Sequence, residues 1–269
     1  MCKEFIRNLN PDRIKKEAFA IHRKVGAFST RWHRHRKHQL LYAEGGVLYF
    51  KTKQLTYVLP ARFAAWIPSK SYHQIYSASP GLLLRVLYFE PEPEEGLFFQ
   101  RLNVFSVSDL AREMILETES WRLSDKTDEI EATFFKAIKL LVQKWGEKPL
   151  PVTLPIPKHP RLREVTDHIT RNLAEPLKVG TIAAAFGFSE RTLMRLFQKE
   201  LALPFTRYLK VARIIKALEL LTKPGASVTE TAFQVGYESL GSFSNMFQQI
   251  VGVRPSEYLN SKNREDEFH

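Results

Sequence analysis

The sequence predicts an α+β chain of two domains. The front is strand-rich and folds as a barrel or sandwich, and the back is all helix, made from two copies of one bihelical unit. Three observations carry this. Short apolar or alternating runs, punctuated by Gly and Pro, fill the span from about Ala18 to Glu90. Five prolines fall within the twelve residues 149–160. Beyond them the chain matches itself at an offset of 49 to 50 residues.

A chain of 269 residues is longer than one average domain. With 44% hydrophobic and 12% aromatic residues it has apolar mass for real cores, which excludes a disordered chain. Mean hydropathy is −0.27, and no apolar run approaches the roughly 18 residues of a spanning helix. The only cysteine, Cys2, can form neither an internal disulfide nor a thiolate zinc site. The opening residues Met1-Cys2-Lys3-Glu4-Phe5-Ile6-Arg7 lack the apolar stretch of a secretory signal. A cytoplasmic protein with no membrane partner is expected. The net charge of +11 invites a polyanionic partner. Its placement is uneven: residues 1–40 hold 11 basic against 3 acidic side chains, and residues 160–269 hold 15 against 12. Bulk charge alone therefore does not point to the back half.

The expected strands are Leu40–Tyr42, Val47–Phe50, Leu55–Leu59, Phe63–Ile67, His73–Tyr76 and Leu82–Phe89, closing the first domain at 1–90. From Pro91-Glu92-Pro93-Glu94-Glu95 the pattern turns helical, giving a linker or dimerisation region over 91–148. One helix is expected over Ser108–Arg122. A stronger one spans Ser124–Trp145, with Ser124 as N-cap and Ile130, Phe134, Ile138, Leu141 and Trp145 at three- and four-residue spacing. The proline run 149–160 excludes helix and central strand, so it reads as an extended, semi-rigid linker. Helical sequence then fills 161–262.

Within that last part Ala183 matches Ala232 and Gly187 matches Gly236; after one inserted residue Ser189, Phe197, Gln198, Tyr208 and Leu209 match Ser239, Phe247, Gln248, Tyr258 and Leu259. Each copy reads as helix, glycine turn, helix. Ser227 and Glu230 form a capping box, and Gly236 sits where only glycine tolerates a sharp left-handed turn. Ser239 then opens a helix whose Phe243, Met246, Phe247 and Ile250 face inward. In the first copy Ser189 is the N-cap, Leu193, Leu196 and Phe197 face inward, and Arg191, Thr192, Arg195 and Lys199 face out. Arginine is the side chain best shaped to grip guanine O6 and N7. One helix of about 18 residues, Phe205–Thr222, is long enough to hold two reading helices about one turn of duplex apart.

Gly187-Phe-Ser-Glu-Arg-Thr-Leu-Met-Arg-Leu-Phe197, Ser227-Val-Thr-Glu-Thr-Ala-Phe-Gln-Val-Gly-Tyr237 and Phe243-Ser-Asn-Met-Phe247, followed by Pro255-Ser-Glu-Tyr258, resemble the AraC/XylS family of transcription regulators over about residues 161–260. The resemblance implies seven helices, contact with promoter DNA in two successive major grooves, and control of transcription, usually as an activator touching RNA polymerase. It places base-reading positions on Arg191, Met194 and Arg195 in the first unit and on Leu240, Gly241, Ser242 and Asn245 in the second. The second unit departs from a strongly basic reader: no Arg or Lys lies between Ser239 and Ile250, and Asn245 stands where the family often has Arg. Asn still pairs with adenine. Ser189 and Ser239, each opening a helix, suit phosphate contacts.

Regulators of this kind commonly carry a cupin barrel in front, which the strand-rich first domain fits. His33-Arg-His35-x-x-x-Gln39 and, later, Pro68-x-Lys70-x-x-His73 resemble the cupin motif in which two His, a Glu and a later His hold a divalent metal. Gln39 takes the Glu place and Lys70 that of the usual Gly. His33 and His35, two apart on a strand, face one side. Three imidazoles and an amide suit zinc, iron, nickel or copper, and could equally hydrogen-bond an acidic or phenolic effector. The same histidines also fit a solvated basic strand, since they lie within Arg31–His38. Trp32, Tyr42, Phe50, Trp66 and Tyr72 could wall such a pocket. No Gly-x-Ser-x-Gly, phosphate-binding loop or reactive cysteine setting supports catalysis. The expectation is a DNA-binding regulator, a homodimer, answering to a small effector; the alternative is a metal-dependent cupin enzyme fused to a DNA-binding module.

Overall fold

Every residue of strand β3 (His38–Glu44) is buried, which needs cover on both faces of its sheet. Alternate side chains reach both sides. On one side Leu40 and Tyr42 join Trp66, Leu87, Phe89, Ile115, Phe135, Ile138 and Val142 in an apolar cluster. On the other, Gln39 lines a cavity with Val86 and Ile75. This computed structural model describes residues 10–59, 62–79, 81–121, 123, 128–147, 153–223 and 225–260. The chain divides into two units, one of residues 1–52 and 59–151 and one of residues 53–58 and 152–269.

In the first unit β3 sits in an antiparallel sheet ordered β1 (Ala18–Val25), β8 (Leu82–Phe89), β3, β6 (Phe63–Ile67) and β9 (Asn103–Ser106). A second sheet carries β7 (Gln74–Ser77) between β4 (Leu48–Lys51) and β2 (Phe28–Ser29). The domain is thus a sandwich of two sheets, and it extends past the Pro91–Glu95 break because β9 returns to pair with β6. Helix α1 (Asp109–Glu117) is capped by Ser108, whose Oγ accepts from the Ala111 amide at 3.2 Å. Helix α2 (Glu129–Trp145) starts at Asp128, whose carboxylate accepts from Ile130 N at 3.1 Å; the expected cap, Ser124, lies outside the described residues. Ile115, Ile138 and Val142, all fully buried, contribute about 1.5–3 kcal/mol each to the cover over the first sheet. Tyr42 and Trp66, expected as pocket wall, instead face these helices; the Trp66 indole donates to Phe99 O at 3.1 Å.

Buried charge pins the helices as well. Glu44 accepts from Arg85 of β8 at 2.8 Å and from Arg112 of α1 at 2.7 Å. Lys139 of α2 pairs with Glu92 and Glu95, and Glu95 with His38 at 2.6 Å.

In the second unit, β5 (Leu55–Leu59) pairs antiparallel with β10 (Thr153–Pro155), so part of the proline-rich segment is an edge strand rather than free chain. Proline is tolerated there because an edge leaves amides unpaired, and Leu154 packs on the helical core. The helices are α3 (Pro160–Arg171), α4 (Val179–Ala185), α5 (Glu190–Leu201), α6 (Phe205–Leu221), α7 (Val228–Gln234), α8 (Leu240–Val251) and α9 (255–260). Nine of the 17 residues of α6 are buried, the pattern of a helix covered on most sides. It packs against α3, α5, α7 and α8 and so holds both bihelical units. Among the described residues, no helix is long and apolar enough to cross a membrane.

Candidate functional site

Two constellations carry chemistry, one in each unit. The first is the pair α5 and α8. Gly187 and Gly236 have φ of +66° and +83°, a region that penalises any Cβ. At Gly236 a Cβ would also strike the Leu173 carbonyl and the Arg213 guanidinium. The chain therefore turns tightly out of α4 and α7. Ser189 and Ser239 cap helices α5 and α8: their Oγ atoms accept from Thr192 N at 3.2 Å and Ser242 N at 3.3 Å. Leu193 and Phe197 of α5, and Phe243 and Phe247 of α8, are fully buried. Those anchors turn the opposite faces outward. On α5, Arg191, Met194, Arg195 and Lys199 are exposed and Thr192 is half-buried; on α8, Leu240, Gly241, Ser242 and Asn245 are exposed, as are both capping serines.

The second constellation is in the sandwich. His33 and His35 precede β3, in the loop after β2 rather than on a strand as expected. His33 and His73 bridge through their backbones, each amide donating to the other's carbonyl at 2.9 Å. One ring nitrogen from each of His33, His35 and His73 lies within 4.8 Å of the others. Each Nδ1 faces a backbone carbonyl two residues away: Arg31 O at 2.9 Å, Lys37 O at 2.7 Å and Ser71 O at 2.8 Å. A carbonyl only accepts, so each Nδ1 carries the proton and each Nε2 presents a lone pair. Burial pushes His73 down to about 3 and lowers His35 as well, so both rings are neutral.

Two of those lone pairs lack donors. The buried His73 Nε2 has no hydrogen-bond partner among the described residues. His35 Nε2 sits 3.0 Å from Gln39 Oε1, an acceptor against an acceptor. Turning the amide over would repair that contact and leave the His73 atom orphaned. A cation among the four side chains satisfies every one of them, and carbonyl-anchored imidazoles are the usual support of a metal-binding histidine. The donor set therefore fits a divalent transition metal. Lys70 closes the site: its amide donates to His35 O at 2.7 Å, and its φ is +61° where the cupin pattern has glycine.

Comparison with known proteins matches residues 182–261 to a helix-turn-helix domain family and residues 19–97 to the AraC-like ligand-binding domain family. The two matches cover more than half of the chain. It is an AraC-type transcription regulator. Among its relatives is the transcriptional regulator NimR of Escherichia coli K12, 29% identical over 258 residues, covering 94% of this chain and 92% of that protein. GbdR of Pseudomonas aeruginosa is 34% identical over 96 residues, 36% of this chain and 26% of that protein. A solved AraC-type regulator from Chromobacterium violaceum is 28% identical, covering 38% of this chain and 92% of that one, with a TM-score of 0.37. These relatives are transcription regulators rather than enzymes. The front of this AraC-type regulator is accordingly a cupin-like ligand-binding domain, and its back a DNA-binding domain.

Two features of the regulator escape sequence reading. The carbonyl that sets each histidine tautomer leaves no residue-type signature, because any backbone can supply it. The Glu44–Arg85–Arg112 knot joins residues 41 and 68 positions apart, and no local spacing announces it.

Proposed function

We propose that the regulator reads promoter DNA through α5 and α8, set in successive major grooves, while the sandwich holds a small effector at the histidine cluster. The observation that carries this is the repeated device itself: a left-handed glycine, a serine cap and a helix whose buried Phe and Leu leave a polar face to solvent. In this reading Arg191, Met194 and Arg195 contact base edges from α5, with Thr192 and Lys199 on the backbone beside them. Leu240, Gly241, Ser242 and Asn245 lie along the groove from α8, where Leu240 suits a thymine methyl and Asn245 an adenine. Ser189 and Ser239 hold phosphates at the two helix N-termini.

At the cluster, His33, His35 and His73 with Gln39 hold a zinc-, iron-, nickel- or copper-type ion. Supporting a homodimer, Leu110 on α1 and Ile130 and Leu140 on α2 are 63%, 72% and 63% exposed, an unusual load of bare aliphatics for two helices. The whole acts in the cytoplasm as an activator that engages RNA polymerase.

The DNA reading is tested by Arg195→Ala. At an operator selected by the intact protein, affinity falls by about 1–3 kcal/mol and preference relaxes at one base position. Unchanged discrimination across single-base operator variants contradicts the assignment.

A further inference from the structure

We propose that the ion held by His33, His35, His73 and Gln39 is itself the effector: the regulator senses a divalent first-row transition metal that exchanges with solution. This rests on the reading of the cluster as a metal site. Four observations carry it beyond a resident cofactor.

The first is room. The cavity beside the cluster, lined by Gln39, His33, Tyr88, Ile75 and Val86, has a volume of about 40 Å3. That takes a water or two. Organic effectors occupy pockets of about 300–1,000 Å3, so the space suits an ion and a water and not a metabolite.

The second is charge. Three imidazoles and an amide bring no negative charge, and among the described residues no carboxylate lines the cavity, whereas Arg23 does. A divalent ion keeps its full charge in such a set, so it is held less tightly than in a set that includes a carboxylate. The borderline nitrogen donors select zinc, cobalt, nickel or copper(II) over magnesium or calcium, which want oxygen.

The third is access. His73 and His35 are 0% and 4% exposed, while His33 is half-buried beside the exposed, stacked pair Trp32 and Tyr72, with ring centroids 5.4 Å apart. An ion reaches the cluster past His33.

The fourth is mechanical coupling. The ligand atoms lie within 4.8 Å of one another, whereas two nitrogens on one such ion, each about 2.0–2.1 Å from it, are at most about 4.2 Å apart. Loading therefore tightens a cluster whose ring centroids stand 4.4 to 5.9 Å apart and which is drawn from two chain segments, 33–39 and 70–73. His35 packs edge-on against Tyr88 of β8 at 5.4 Å, and His73 against Phe50 of β4 at 6.2 Å. A change at the cluster thus reaches both sheets.

The test uses the full chain, stripped with chelator and titrated with Zn(II), Fe(II), Ni(II) and Cu(II) each alone, with Co(II) as a spectroscopic stand-in for zinc. The readouts are ion stoichiometry, the visible spectrum of Co(II), hydrogen exchange of the C-terminal helices, and affinity for operators selected with and without each ion. At least one ion is expected to bind at one per chain. The same ion should change operator affinity about fivefold or more, or alter exchange in α5 to α8. Gln39→Glu, which adds the missing negative charge, should tighten that ion about tenfold or more and shift the response curve to lower ion concentration by the same factor. His33→Ala, at the half-exposed ligand, should abolish both ion and response while the melting transition persists. An ion that binds and leaves DNA affinity and helix exchange unchanged overturns the sensor proposal and spares the metal site. A protein that binds none of the four overturns both.

Discussion

Lys70 holds a left-handed backbone, φ +61°, that glycine adopts freely and a residue with a Cβ does not. Its amide is committed to His35 O, so the strained turn is part of what shapes the histidine cluster. Lys70→Gly is expected to raise stability by up to about 1 kcal/mol, the relief of strain being offset in part by the freer unfolded chain; a lower denaturation midpoint contradicts this. His22 carries a second residue-scale prediction. Arg85 donates to its Nδ1 at 3.0 Å, its Nε2 donates to Thr118 Oγ1 at 2.9 Å, and Thr118 donates onward to Ile115 O at 2.7 Å. Burial, then the charge of Arg85, pushes its pKa from 6.5 to about 4, with Arg23 adding to this and Glu119 and Glu44 opposing it. The folded value lies below the unfolded one, so the unfolded chain takes up the proton first. Stability is full above about pH 6.5 and falls between about 6.5 and 4. His22→Gln should lose less of its urea midpoint between pH 7 and 5 than the native chain does, and equal losses contradict the assignment. At this scale the sequence is legible wherever a residue acts on its own backbone. Ser189, Ser239, Gly187 and Gly236 do what their types demand, while His22 and Glu44 depend on partners far along the chain.

Helices α5 and α8 differ in charge, and that difference is an element-scale property. Helix α5 exposes Arg191, Arg195 and Lys199, whereas α8 has no Lys or Arg at all. Replacing any one of the three α5 cations by Ala should flatten the slope of log affinity against log salt by about 0.9 if that side chain meets a phosphate. A cation reading a base edge should instead alter sequence preference. Asn245→Ala in α8 should leave the slope unchanged and weaken binding at one base position; a changed slope contradicts its role as a base reader. Elements were legible in proportion to how local their signals are. The runs Leu55–Leu59, Phe63–Ile67 and Leu82–Phe89 coincide with β5, β6 and β8 because a Gly or Pro stands directly against one end of each. Strand β1 has polar residues facing outward, and β9 lies beyond the Pro91–Glu95 break, so neither shows as an apolar run. His33 and His35 lie off any strand, and it is the backbone bridge to His73, not strand parity, that gathers the rings.

At the scale of the molecule, one chain joins a ligand-binding sandwich to a pair of helix-turn-helix units, and regulation depends on how those units meet DNA. The internal repeat made this legible, since the 49- and 50-residue offsets report one supersecondary unit used twice. The sandwich was less so: its sheets are assembled from strands distant in sequence, such as β1 with β8 and β6 with β9. Both units share α6, whose 17 residues span about 25 Å, somewhat less than the roughly 34 Å of a duplex turn. The decisive measurement is a hydroxyl-radical footprint of the full chain on its selected operator. Two protected tracts about one helical turn apart are expected, the tract under α5 fading in Arg195→Ala and that under α8 in Asn245→Ala. A single tract that responds to only one of the two substitutions contradicts the paired-reader account.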